Sequence, residues 1–196
     1  MIETVEILKV FQQHRGDAIV VPGSGGRHWT AISTRPNRDV PFVPSTAMGG
    51  RAAFAFGLAL AQPETKVVLF DTEGDLLMGL GILATIAEAQ PKNFYHFLLD
   101  NECYATTGGQ PVPNTGNVRY DAIARNAGYP RAFAYDNLES LAVNIERILA
   151  GSGPVFVALK VVPEIQNVAI TQRKPWATRT REQVLNDLRL ELRVAR

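Results

Sequence analysis

The chain has 196 residues, 46% hydrophobic and 20% charged, with a formal net charge of +1. That length supports one sizeable domain with a real core, and the near-neutral balance gives no electrostatic reason to expect a nucleic-acid partner. Cys103 is the single cysteine, which excludes an internal disulfide or a paired-cysteine metal motif and fits a reducing compartment.

No apolar run reaches the ~18 residues that a membrane span needs. The opening MIETVEILKVFQQHRGD carries acids early and is not a signal peptide. A cytoplasmic chain with no membrane or nucleic-acid partner is therefore expected. Ile2, Val5, Leu8, Val10 and Phe11 recur at helical spacing, predicting a helix that ends near Gly16. Residues 18–21 read as a short buried strand and residues 22–26 as a loop. A short helix is expected within residues 28–38, stopping before Arg35-Pro36, where the proline disfavours helix in the preceding residue. Residues 40–43 read as a second strand. Ser45-Thr46-Ala47-Met48-Gly49-Gly50 then opens the helix RAAFAFGLALAQ, whose small side chains permit close packing.

Next come a strand (VVLFD, residues 67–71), an acidic glycine turn (TEGD), a helix over residues 76–89 and a strand (FYHFLLD, residues 94–100). A polar turn begins at Asn101-Glu102. Residues 108–116 form a loop with three glycines and two prolines. A helix over residues 120–128, a strand over 131–135 and a helix over 137–149 follow, the last with the stripe Leu138, Leu141, Ile145, Ile148. Residues 154–161 are the last core strand. Strands alternating with helices predict an α/β domain over residues 1–162, a doubly wound parallel sheet with helices on both faces. Residues 163–196 read as a C-terminal extension in which residues 181–194 form a helix with Val184, Leu185, Leu188 and Leu192 on one face. From Gln172 onward there are seven basic and three acidic residues. The helix is read as a solvated face or as one docked on a partner subunit.

Glu73 and Asn101 lie 28 positions apart at the predicted carboxyl ends of successive parallel strands, the edge where open α/β sheets bind ligands. A carboxylate and an amide oxygen there suit a hard divalent cation such as Mg²⁺, often shared with a phosphate. Gly74 lies between a strand and a helix whose free N–H groups favour an anion; the plain alternative is a tight turn with Asp75 as the cap. Asn101 also fits simple turn chemistry. Thr106-Thr107-Gly108-Gly109 offers hydroxyls and open amides to phosphate oxygens. His96 is expected in the core and His14 at the surface. His28, beyond the first strand, is a candidate for proton transfer or for contact with substrate or diphosphate. Arg27 beside it suits an anionic tail held by a bidentate fork. A dinucleotide-binding module is disfavoured because the turn lacks the G-x-G-x-x-G spacing.

The run Thr72-Glu73-Gly74-Asp75, with Leu99-Asp100-Asn101-Glu102-Cys103-Tyr104 after it, resembles the diphosphate- and metal-binding segment of thiamine-diphosphate enzymes. Those carry Gly-Asp-Gly and, a little under thirty residues later, Asn. The wording is most similar to sulfopyruvate decarboxylase β subunits and the C-terminal part of phosphonopyruvate decarboxylases, over roughly residues 15–162. The resemblance implies thiamine diphosphate and Mg²⁺ as cofactors, in a 2-oxo acid decarboxylase. It places Glu73, Asn101 and the backbone carbonyl of Cys103 on the metal, and Gly74, Asp75, Tyr104, Thr106 and Thr107 on or beside the diphosphate. Gly49 falls where the backbone approaches the aminopyrimidine. Met48 falls on the apolar prop that bends the cofactor, with core packing as its alternative.

Glu73 stands where the family has Asp, and Thr72 where it has Gly. The added methylene moves the carboxylate by ~1.5 Å, which strains the tight Mg²⁺ octahedron and suits Ca²⁺ or Mn²⁺ better. Thr72 implies a turn without positive φ at that position. The family's second domain, which supplies the catalytic glutamate to the pyrimidine, has no counterpart in this length. A partner subunit carrying that domain, a hetero-oligomer and a small 2-oxo acid substrate follow. The alternative is a scaffold or regulatory subunit that keeps the fold but has weakened or lost cofactor binding.

Overall fold

A computed structural model describes residues 1–41, 48–173 and 177–194. Phe42 and Val43 of the expected second strand, and Ser45-Thr46-Ala47 of the small-residue opening, lie outside the described residues. Strands β1 (Ile19–Val21), β2 (Val67–Thr72) and β3 (Phe94–Asp100) run side by side. The short hairpin β4 (Cys103–Tyr104) and β5 (Gln110–Pro111) stands apart as its own two-stranded sheet. Strand β6 (Arg131–Tyr135) takes the far edge and β7 (Val155–Lys160) inserts between it and β3, giving the order β1-β2-β3-β7-β6, all parallel.

The helices follow from that order. Helices α3 (Arg51–Ala61), α4 (Glu73–Met78), α5 (Ile82–Ala89) and α6 (Tyr120–Ala127) lie on connections that step in one direction across the sheet, and all contribute to one core. The return from β6 to β7 through α7 (Leu138–Ala150) reverses direction and packs on the opposite face, with α1 (Thr4–His14) and α2 (Gly26–Ile32). Right-handed crossovers demand this change of face when the direction reverses. The strands split accordingly: Phe94 and Leu98 enter the first core, Tyr95, Phe97 and Leu99 the second, the period-2 alternation of a sheet covered on both sides. Phe11, Trp29, Phe70 and Phe97 form the aromatic centre of the second core. At its rim the buried Arg15 guanidinium bonds Asp39 at 2.6 Å and lies over the Trp29 ring.

Three local expectations change. The loop over residues 22–26 tightens into a 3-10 turn and then the start of α2. Gly23 there has φ +50°, and a Cβ on it would sit 2.0 Å from the Phe70 carbonyl oxygen, so the β1 loop presses on the end of β2 as only glycine allows. The second strand reduces, within the described residues, to one bridge between Val20 and Asp39. The helix over residues 76–89 is two helices: α4 already starts at Glu73, and residues 79–81 separate it from α5. Two glycines in three residues weaken helix there, and Gly79 backs directly onto the Gly49 carbonyl.

The C-terminal helix α8 (Arg181–Glu191) folds back on the domain. Its Val184 and Leu188 are buried, Leu188 joins the first core, and Glu191 bonds Arg38 at 2.9 Å. Part of the face expected to be solvated or docked on a partner is thus covered by the chain itself. Among the described residues, no helix is long and apolar enough to cross a membrane.

Candidate functional site

Because β2 and β3 pair in register, Thr72 opposite Leu99, the residues that follow them meet at one edge. Glu73 begins α4 and is fully buried. Its Oε2 accepts the Asn101 N–H at 3.1 Å and its Oε1 the Cys103 N–H at 3.0 Å. Asn101 Oδ1 accepts the same Cys103 N–H at 3.1 Å, an Asx turn made possible by Glu102 at φ +66°. Two hard oxygens from neighbouring strand ends therefore converge on one backbone atom. Val112 N–H bonds the Glu102 carbonyl at 3.2 Å, so Cys103 and Pro111 are a non-hydrogen-bonded pair of the β4–β5 hairpin and the Cys103 carbonyl points away from β5. The donor set of carboxylate, amide and carbonyl oxygens fits a hard divalent cation.

The electrostatics are uneven. Burial, aided by the charge of Asp100, pushes the Glu73 carboxyl up to about 7, although the backbone amides of Asn101, Glu73 itself and Cys103 pull the other way. Burial and the charge of Asp71 likewise hold Asp75 above its usual range. Asp75 is not the helix cap. Its Oδ1 accepts the Gly49 N–H at 2.9 Å and lies 3.8 Å from Arg51, so it ties the turn holding Met48 and Gly49 to α4. Gly49 has φ +81°. Met48 is 67% exposed, which removes core packing as its role. Thr72, at φ −119°, needs no glycine.

Gly74 lies under the Tyr104 ring; a Cβ there would meet ring carbons at 2.9 and 3.0 Å. Thr106 and Thr107 are exposed in the turn beyond Tyr104, and the Thr107 hydroxyl bonds the Tyr104 carbonyl at 3.2 Å. Cys103 is buried, and burial raises its thiol. A 220 Å³ cavity elsewhere, lined among others by Trp29, Ser33, Asp39 and Arg179, includes none of these residues.

His28 is not free at the edge: its Nε2 lies 2.8 Å from both Glu164 carboxylate oxygens, and Arg27 reaches Glu164 at 2.5 Å. His96 is buried as expected but neither ring nitrogen is hydrogen-bonded; Nε2 lies 3.5 Å from Asp71 Oδ2. The pattern reading missed Lys160, which bonds Asp100 at 2.9 Å and Glu102 at 2.6 Å. Burial alone would lower its ammonium, but these two carboxylates outweigh burial and hold it above its ordinary value. It also missed Tyr120, whose buried hydroxyl lacks a partner; burial and the charges of Asp100 and Glu73 oppose its ionisation. Acids and a lysine ending apolar strands were the signal for the first; nothing in the sequence marks the second.

The sequence family described as "Thiamine pyrophosphate enzyme, C-terminal TPP binding domain" matches residues 26–159. The phosphonopyruvate decarboxylase of Streptomyces hygroscopicus is 35% identical over 146 residues, 74% of this chain. The chain spans only 36% of that relative's length. Sulfopyruvate decarboxylase subunit beta of Methanothermobacter thermautotrophicus is 34% identical over 87% of this chain and 88% of its own. A solved structure from Mycobacterium smegmatis, described as a putative thiamin diphosphate-dependent enzyme, superposes with TM-score 0.67 at 18% identity, over 83% of this chain and 32% of that one; it shares the fold. With the family match covering more than half of its length, the chain belongs to the thiamine pyrophosphate enzymes and carries their C-terminal TPP-binding domain.

Proposed function

We propose that this chain is the thiamine-diphosphate- and metal-binding subunit of a 2-oxo acid decarboxylase acting on a 3-substituted pyruvate with an acidic tail. The observation that carries the reading is the convergence of the Glu73 and Asn101 oxygens beside Cys103, at the ends of adjacent strands of this family's domain. Glu73, Asn101 and the Cys103 carbonyl would hold Mg²⁺, or Ca²⁺ or Mn²⁺ given the longer Glu arm. Gly74, Tyr104, Thr106 and Thr107 would face the diphosphate. Asp75 would act by fixing Met48 and Gly49 against the aminopyrimidine. Bound there, the cofactor supplies the electron sink that decarboxylation of a 2-oxo acid requires. The protein's part is to orient it and keep it beside its metal.

The catalytic glutamate comes from a second subunit with the pyrimidine-binding domain. Two relatives' names support the reading: the subunit beta, nearly as long as this chain, implies a partner, and the much longer phosphonopyruvate decarboxylase implies both parts on one chain. Calorimetric titration of the full chain with thiamine diphosphate and each metal, alone and with the chain encoded beside it, tests this. Metal-dependent binding is expected, with decarboxylation of an acid-tailed 2-oxo acid only in the mixture. Full-rate decarboxylation by the isolated chain would sink the half-site idea, and no binding under any condition would sink the reading itself.

A second reading has its own observation. Glu73 closes onto the amides of Asn101 and Cys103 and is wholly buried, as suits a scaffold or regulatory subunit that has given up the metal. A sharp gain of cofactor affinity in Glu73→Asp would favour that reading.

A further inference from the structure

Beyond β7 the chain does not leave the site. Residues 161–173 run back across the carboxyl edge of the sheet and are fastened there at two points. Gln166 N–H bonds the Ala105 carbonyl at 2.8 Å and Arg173 bonds the Thr106 carbonyl at 2.6 Å, the turn expected beside the diphosphate. Between β7 and those bonds, Glu164 reaches to the first turn of α2. There one carboxylate meets two basic side chains: Arg27 Nη2 at 2.5 Å, and His28 Nε2 at 2.8 Å from each oxygen.

Arg51 and Lys160, also at this edge, are held differently. Arg51 lies 4.0 and 3.8 Å from Asp71 and Asp75, and Lys160 bonds Asp100 and Glu102, acids carried by β2, α4, β3 and the turn after it. Glu164 instead sits on a segment outside the sheet, in an ion pair whose side chains remain 53% and 35% exposed. Exposed pairs of this kind contribute little stability, so an external anion can exchange with the carboxylate.

We propose that Arg27 and His28 form a subsite for a tetrahedral oxyanion, a phosphonate, sulfonate or diphosphate group, and that Glu164 competes with that ligand for it. The carboxylate shows the geometry the subsite accepts: two oxygens on one imidazole nitrogen and one of them on the guanidinium as well. A phosphonate or sulfonate offers the same oxygen pair and a third oxygen for the rest of the guanidinium fork. The inference rests on the acid-tailed substrate of the proposed function for its choice of source, the substrate tail over the cofactor diphosphate.

The test uses the full chain. Methylphosphonate and methanesulfonate, tails without a 2-oxo acid, are titrated separately while the imidazole signals of the three histidines are followed by NMR, with His28→Gln identifying its signal. The His28 signal should move and saturate. Glu164→Gln should tighten binding by about two- to fivefold, the range an exposed ion pair spans. Arg27→Ala should weaken it by about tenfold or more, and Arg27→Lys should restore only part. A parallel titration with thiamine diphosphate separates the sources: a His28 response to it and not to the two tail probes assigns the subsite to the cofactor diphosphate. No response to any anion, or equal affinity in wild type and Glu164→Gln, overturns the proposal. Calorimetric cofactor binding with a silent His28 leaves the proposed function standing and removes only this subsite. Tail binding at His28 without cofactor binding keeps the subsite and removes the function.

Discussion

Glu73 sets two effects against each other. The backbone amides of Asn101, of Glu73 itself and of Cys103 favour its charged form, burial opposes it, and burial wins, lifting the carboxyl from 4.5 to about 7. Between those values the folded chain keeps a proton that the unfolded chain has released. The contribution of this group to stability is therefore full below about pH 4.5 and is lost as pH rises through 7, by on the order of 3 kcal/mol. Urea denaturation of the metal-free chain at pH 5 and pH 8 should show that loss. Asp39 and Asp75 shift in the same direction, so the measurement is the difference from Glu73→Gln, which should lack the Glu73 share; identical pH slopes in the two would refute it. A metal needs the ionised carboxylate, so its affinity should climb through pH 7. The meeting of Glu73 and Asn101 was legible in the sequence, because two apolar strands and a helix of ordinary length put both at one edge. The Tyr120 hydroxyl was not, since α6 reaches that edge only through the order of the strands.

At the scale of elements, the apolar runs of β2, β3 and β7 were readable because both faces of a central parallel strand are buried, leaving no polar alternation to confuse them. The break between α4 and α5 was less readable: glycines 79 and 81 weaken helix, yet the decisive contact is Gly79 against Gly49, thirty residues earlier. Helix α8 is the reverse case. Its start is written locally, in a capping box where the Thr180 side chain accepts from Gln183 N–H and the Gln183 side chain accepts from Thr180 N–H. Thr180→Ala should cost about 1 kcal/mol, lowering the melting temperature by roughly 2–4 °C for a chain of this size. An unchanged melting temperature with faster amide exchange confined to α8 would instead mean that this helix opens independently of the core.

For the whole molecule, the sheet order makes β2, β3 and β7 interior strands, each paired on both sides, while β1 and β6 are edges. Backbone amides of the three interior strands should exchange with solvent only through global unfolding, and those of residues 163–173, which lie outside the sheet, should exchange well ahead of them, Gln166 and Gln172 being slowed by their hydrogen bonds. Hydrogen-exchange mass spectrometry of the chain alone checks this. Protection of residues 163–173 equal to that of β3 would contradict a segment able to release Glu164. Repeating the measurement with the proposed partner subunit should protect the carboxyl edge around Met48 and Tyr104 ahead of the opposite edge.

By itself the sequence determined the fold class, the family and the two oxygens placed at one sheet edge, because alternating buried strands and helices of standard length admit few arrangements. Only the tertiary structure decided what those groups do to one another. It closed Glu73 onto backbone amides, used Asp75 to hold Gly49, and brought Glu164 to Arg27 and His28 from 137 and 136 positions away. Such contacts depend on where separate loops return to the same edge. That is set by strand order and crossover handedness, and no local pattern of residues records it.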